Sequence, residues 1–572
     1  MNVLSKAVNA VVFHGGCLIG RLFRADYERK ARRGRATGER MLNKLLRRSR
    51  DTEYGRKYRF SEIRSVSDYR KMVPVSDYDD YRDYVRRTAE NGEQGLMTGR
   101  RINYFATTSG TTRERKLIPQ VMETYIPYFK CICVMLSDLL PILRERGVPA
   151  ATAKGFVIID TVGQANAERQ KGKVDQGMVS SYSLNSVKYF LPLFTPFPAA
   201  LLDGEGIGDP RYLKALYALR DADLKYASAV FSSSMLDMMT YILENWERLA
   251  RDIETGTLSP DAPVSPKARR KLERALRPDP ARAAELREIF STPEKGPVMS
   301  RVWKQMSILV CIGGGDFTPF TEKLHTLFDP GVRHCHRLYS SSECTMGVAL
   351  RLDDPSYLLL PDSGFFEFFP VEDGETKTDR ILLPCELERG KYYEIVLTNL
   401  AGLYRYRLLD VVCVTDFIGE TPCIQFAYRA NNLTDICGIH LTGRHLADTV
   451  REAAQAVDTR VLDYSLYADI GAAAPHLELF LETERPLDGE ERQAFLARFE
   501  EALGVNCWDY GFYRENGQIG PAKLRPVRAG AFRRYRDMRI SQGASANQIK
   551  ALRLIDTPEK DRFITAEEDA EA

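Results

Sequence analysis

The chain has 572 residues, of which 44% are hydrophobic and 28% charged, with a formal net charge of +3. That length exceeds one ordinary core, so two or more are expected, and the composition excludes disordered and fibrous classes. The near-neutral balance makes no global case for nucleic acid, and eleven cysteines without a C-x-x-C pair point to reduced thiols and a cytoplasmic setting.

In chain order, the apolar run Ala7 to Phe23 is broken by Asn9, His14 and glycines and lacks the basic start and cleavage site of a signal peptide. It predicts a packed helix, with contact to a membrane surface as the lesser alternative. The Arg- and Lys-rich stretch Arg21 to Arg50 reads as a solvated helical face. No stretch is taken to reach the roughly 20 apolar residues of a membrane helix. Residues 44–101 alternate amphipathic segments with breaks, and Tyr81, Tyr84 and Val85 fall at helical spacing.

The segment "TTSGTTRERK", Thr107 to Lys116, crowds hydroxyls around Gly110. Glycine lets the backbone approach an anion while hydroxyls and N–H groups donate to it, so phosphate is the natural guest. The Walker spacing is absent, since Lys116 has no Ser or Thr behind it.

Further on, Phe156 to Asp160 predicts a short buried strand. Ser234 to Ile253 predicts a strong helix with Met235, Met239, Ile242, Trp246, Leu249 and Ile253 on its core side. Ser259 to Ile289 reads as an exposed helical insertion. From Ser307 the pattern becomes strand ("SILVCI"), glycine turn ("GGGDFTP") and helix ("FTEKLHTLF"), with further strands at "FFEFF" and "YYEIVLT". His334 and His336 could ligate a metal, but no second ligand cluster accompanies them, so they read as structural. Beyond Asp410 a polar connector is expected, then helix, strand, strand and helix. This order suggests a large α/β domain over residues 1–430 and a smaller α/β domain over 431–572.

The motifs in order, "TSGTTRERKLIP", "YSSSEC", "FFEFFP" and "AGLYRYRLLD", resemble those of the acyl acid amido synthetases of the auxin-responsive Gretchen Hagen family, within the adenylate-forming superfamily. The likeness runs from about Leu45 to Arg553. It implies a large N-terminal adenylate-forming domain of mixed β-sheets and helices, capped by a smaller mobile C-terminal α/β domain. It also implies a ligase that uses ATP and Mg²⁺ to turn a carboxylic acid into an acyl-adenylate, then passes the acyl group to an amine, typically of an amino acid. Delivery to coenzyme A or a carrier thiol, or a weakly catalytic nucleotide-binding relative, stay open.

By that resemblance, Thr108, Ser109, Gly110, Thr111, Thr112 and Lys116 grip phosphate. Gly314 lines the adenine, Tyr339 packs on it beside Ser340, Asp410 fixes the ribose and Glu343 holds Mg²⁺. Lys550 reaches the reacting groups from the small domain. The acyl pocket is expected from Thr124 to Leu139 and from Gly177 to Leu184. Partners are then small molecules, and a monomer is expected by analogy. Departures from the family pattern are a shortened phosphate loop, Leu409 where glycine is usual, and His440 where relatives carry lysine, which makes His440 a candidate catalytic group of altered charge.

Overall fold

The computed structural model describes residues 3–107, 116–158, 174–177, 191–314, 317–372, 375–430, 434–436, 439–441, 443–472, 474–542, 549 and 551–568. A helix over Val3–Ala31 opens the chain. It packs antiparallel on the Tyr125–Glu145 helix, with Gly16 beside Leu136 and Gly20 so close to the Cys133 carbonyl that a side chain there would collide with it. The Met122–Glu145 segment is long and apolar enough to span a membrane by length and composition, contrary to the sequence expectation, and 44% of its most apolar window is buried by packing.

Four parallel strands, Gly155–Val157, Tyr226–Phe231, Ile308–Ile312 and Arg333–Cys335, lie side by side in chain order. Helices form on this sheet because their apolar residues recur at three and four. In Ser232–Thr255, Met235, Met239, Ile242, Leu249 and Ile253 are buried, as their spacing predicts. The Ser259–Ile289 stretch is helical too, over Pro266–Leu276 and Pro280–Phe290, but it is not an exposed insertion. Leu272, Leu276, Ala283 and Leu286 are fully buried in the same core, so the many arginines there decorate amphipathic helices.

The second large core is an antiparallel eight-stranded sheet built from residues 338–429. Tyr406–Ile418 and Thr421–Arg429 form its longest hairpin, turning at Gly419 with φ 62°. The expected polar connector after Asp410 is therefore a pair of strands, with Val411, Val412 and Val414 inward. Arg405 ties this sheet to the N-terminal segment. Its guanidinium donates to Glu367 at 2.9 Å and to the carbonyls of Arg70 and Val73, all but sealed from water.

From residue 443 the chain builds the anticipated order: helix Gly443–Ala456, strands Val461–Asp469 and His476–Thr483, helix Gly489–Asn506. Lys523–Pro526 then adds a parallel strand. A further helix, Ala531–Ser541, meets the Ser232–Thr255 helix through ion pairs of Arg536 with Asp237 and Arg533 with Glu244, and the Arg211–Arg220 helix through Arg211 with Asp537.

Candidate active site

The hydroxyl-rich loop leaves from a hairpin. Tyr104–Thr107 pairs antiparallel with Leu117–Gln120, with Thr107 opposite Leu117. The candidates Thr108, Ser109, Gly110, Thr111 and Thr112 lie outside the described residues, as does Lys550. Lys116, at the foot of the loop, has its Nζ 5.3 Å from the centroid of the Tyr78 ring. The Tyr78 hydroxyl accepts the Leu117 N–H at 2.9 Å.

This hairpin is fastened to the second motif. Gln120, itself buried, donates its side-chain amide to the Ser342 carbonyl at 2.7 Å. Asn399 donates to the carbonyl of Glu343 at 2.9 Å while its own carbonyl oxygen accepts from the N–H groups of Ala401 and Leu403. One amide thus fixes both the Glu343 turn and the "AGLYRYR" turn.

Tyr339 and Ser340 end the strand Leu338–Ser340. The Tyr339 hydroxyl donates to Asp410 Oδ2 at 2.7 Å, with both residues buried. Arg429, the register partner of Asp410 across the long hairpin, brings Nε within 3.6 Å of Asp410 Oδ1. Burial pushes the Glu343 carboxyl above its ordinary range, against the pull of Arg429 and Ser341, and Asp410 adds to the rise. Burial and the neighbouring Asp410 carboxylate hold the Tyr339 phenol firmly protonated. Two acids therefore share one buried cluster with the Arg429 guanidinium, and two carboxylates crowded together favour an added cation.

Ser340 donates into its own turn, to the Ser341 and Cys344 carbonyls. Gly314 follows the strand Ile308–Ile312. A Cβ on it would stand 3.0 Å from Pro355 and 4.0 Å from the Gln425 amide, so it sits against the strand that carries Arg429. Leu409 adopts φ 65°, the left-handed region that suits glycine, directly before Asp410. His440 lies on the short strand Ile439–Leu441 opposite Asp435, and only its backbone is described.

Sequence reasoning passed over Arg429, Gln120 and Asn399. A lone arginine at a strand end carries no signal, and Gln120 acts only through a contact 222 residues away. Asn399 stands two residues before the "AGLYRYRLLD" motif and shows its role only in three dimensions. His334 and His336 stack with ring centroids 4.3 Å apart, while His325 bonds His334 at 3.2 Å. Among the described residues, the metal-compatible group is instead Asp469, His476 and Glu478, where Arg525 already occupies Glu478 at 3.0 Å.

The GH3 family N-terminal domain matches residues 24–331, its central domain residues 357–429 and its C-terminal domain residues 444–559. The chain belongs to the GH3 family. It is thus an adenylate-forming ligase that activates a carboxylic acid with ATP and transfers it to an amine. The chain is 29% identical to the indole-3-acetic acid-amido synthetase GH3.8 of Oryza sativa subsp. indica, covering 91% of this chain and 88% of that protein. It is 26% identical to the indole-3-acetic acid-amido synthetase GH3.3 of Arabidopsis thaliana, covering 90% and 89%. Among solved structures, AtGH3.15 acyl acid amido synthetase in complex with 2,4-DB shares the fold at a TM-score of 0.84, with 23% identity and 96% of each chain covered. The α/β class read from the sequence holds for this family member.

Proposed function

We propose that the Tyr339, Glu343, Asp410 and Arg429 cluster and the hydroxyl-rich loop form one nucleotide site that makes an acyl-adenylate from an aryl-substituted alkanoic acid, and that an amino acid amine then takes the acyl group. The observation that carries this reading is the Tyr339–Asp410 hydrogen bond at 2.7 Å beside buried Glu343. The Gln120–Ser342 bond supports it by tying the root of the loop to the same cluster. The relatives named for indole-3-acetic acid support the acid class.

A carboxylate is a poor electrophile until one oxygen is bonded to a good leaving group. Attack of that oxygen on the α-phosphorus of ATP expels pyrophosphate, and attack of the amine on the acyl carbon then expels AMP. The protein's part is positioning and charge neutralisation. The Asp410 carboxylate, aimed by the Tyr339 hydroxyl and Arg429, would accept the two ribose hydroxyls. Thr108, Ser109, Thr111 and Thr112 would donate to phosphate oxygens with Lys116 at the loop's foot, and Gly314 would leave room for the base.

Glu343 fits Mg²⁺, a hard cation that prefers carboxylate oxygen, because burial penalises its charged carboxylate and a bound cation would offset that cost. When bound, Mg²⁺ would draw charge from the phosphates. Residues 431–572 would act as a cap that delivers Lys550 on closure, with His440 changing the charge at the cap's edge. Pyrophosphate exchange into ATP across a panel of carboxylic acids tests the first half. Mass spectrometry of the products with amino acids tests the second. Exchange with no acid, despite ATP binding, would refute the proposal.

A further inference from the structure

The Val3–Ala31 helix carries two apolar faces, and only one is used. Phe13, Cys17, Tyr27 and Ala31 are buried against the body of the protein. On the opposite face Leu4, Val8, Val11, Leu18 and Leu22 recur at four, three, seven and four residues, forming a single row. They stand 73%, 39%, 74%, 61% and 62% exposed. A surface helix ordinarily turns a polar face outward. Here the row is apolar for about 27 Å, from 18 residues at 1.5 Å each.

The neighbouring helix exposes apolar side chains of its own. The antiparallel packing that sets Gly16 beside Leu136 and Gly20 beside Cys133 brings the start of the Tyr125–Glu145 helix alongside the C-terminal end of the first. There Ile126 and Phe129 are 52% and 58% exposed.

Charge decides what the row faces. Residues 1–25 contain no Asp or Glu. At the C-terminal end of the row Arg29 takes the next step on the same face, its side chain 78% exposed while it pairs with Asp26 of the same helix, and Arg21, Arg32 and Arg33 are exposed with no carboxylate paired to them among the described residues. A second copy laid on this face would set arginines against an acid-free surface. An anionic bilayer offers acyl chains to the leucines and valines and phosphate to the arginines at once. The row lies ahead of residue 24, where the match to the family's N-terminal domain begins.

We propose that the Val3–Ala31 helix lies in the headgroup region of an anionic membrane, its exposed row immersed and its arginines on lipid phosphates, so that the enzyme works at the membrane surface. The full chain should co-sediment with vesicles of phosphatidylglycerol and phosphatidylcholine in equal parts, and about tenfold or more weakly with phosphatidylcholine alone. Val11→Glu with Leu18→Glu should cost at least about tenfold in binding while thermal unfolding without vesicles stays put, because both side chains face water. Arg29→Gln with Arg32→Gln should remove the preference for the anionic lipid. Three results would overturn the proposal: no binding by the parent chain, equal binding by the double glutamate variant, or a dimer in sedimentation velocity that the same variant dissociates.

Discussion

Replacing Tyr339 with phenylalanine removes one hydroxyl and keeps the ring. That hydroxyl donates to Asp410 at 2.7 Å with both residues buried, and Arg429 stands beside the same carboxylate at 3.6 Å. A donor to a buried carboxylate contributes about 1.5–3 kcal/mol, because the acceptor is charged and water cannot replace the lost partner. If Asp410 holds the ribose, that amount appears as roughly a tenfold to hundredfold loss in apparent ATP affinity. If the Tyr339 ring packs on the adenine as proposed, phenylalanine keeps that contact, so the rate at saturating ATP should fall far less. The assay is pyrophosphate exchange as a function of ATP concentration, with urea unfolding in parallel. An unchanged ATP dependence alongside a lowered unfolding midpoint would refute the reasoning, since the bond would then serve the fold alone.

Glu343→Gln should abolish exchange yet stabilise the ligand-free protein at neutral pH. The raised folded pKa means that ionised Glu343 is penalised by the fold; the penalty is absent below the ordinary carboxylate range and sets in as pH climbs through the raised value. Thermal unfolding from acid to neutral pH would show it, and a less stable Gln variant at neutral pH would contradict it. Leu409→Gly should be close to neutral, because relief of about 1 kcal/mol at φ 65° offsets lost burial, whereas Leu408→Gly, at a buried site, should cost about 3 kcal/mol or more. Equal losses in urea unfolding would remove the argument from backbone strain. Arg405→Met should destabilise by about 3 kcal/mol, since Glu367 is 1% exposed and, among the described residues, keeps Arg70 as its remaining cationic partner. A midpoint unchanged from the parent would count against that. Gln120→Ala should lower exchange by about tenfold through the loop root it anchors, a loss on the order of one buried hydrogen bond; full activity would uncouple the hairpin from the site.

Where one element carries its own signal, the sequence was readable. The methionine, isoleucine and leucine spacing over Ser234 to Ile253 announced its buried side, and the helix, strand, strand, helix order of the C-terminal part emerged as read. Pairing across distance was not readable. The eight-stranded sheet joins segments whose register is fixed by bulges and hairpins rather than by local composition, so Thr421–Arg429 passed for a connector and Arg429 went unnoticed. The Pro266–Leu276 and Pro280–Phe290 helices misled by composition, because the apolar residues that meet the core are interspersed with arginines, lysines and glutamates. Tyr339, Glu343 and Asp410 were legible only as motifs, and their meeting in one cluster belongs to the fold.

A crystal structure with Mg²⁺ and α,β-methylene-ATP tests the central claim most directly. The account predicts adenine on the Tyr339 ring, ribose hydroxyls on Asp410, the metal on Glu343 and phosphates in the Thr108 to Thr112 loop. Nucleotide bound away from this cluster, or phosphates directed away from that loop, would contradict it.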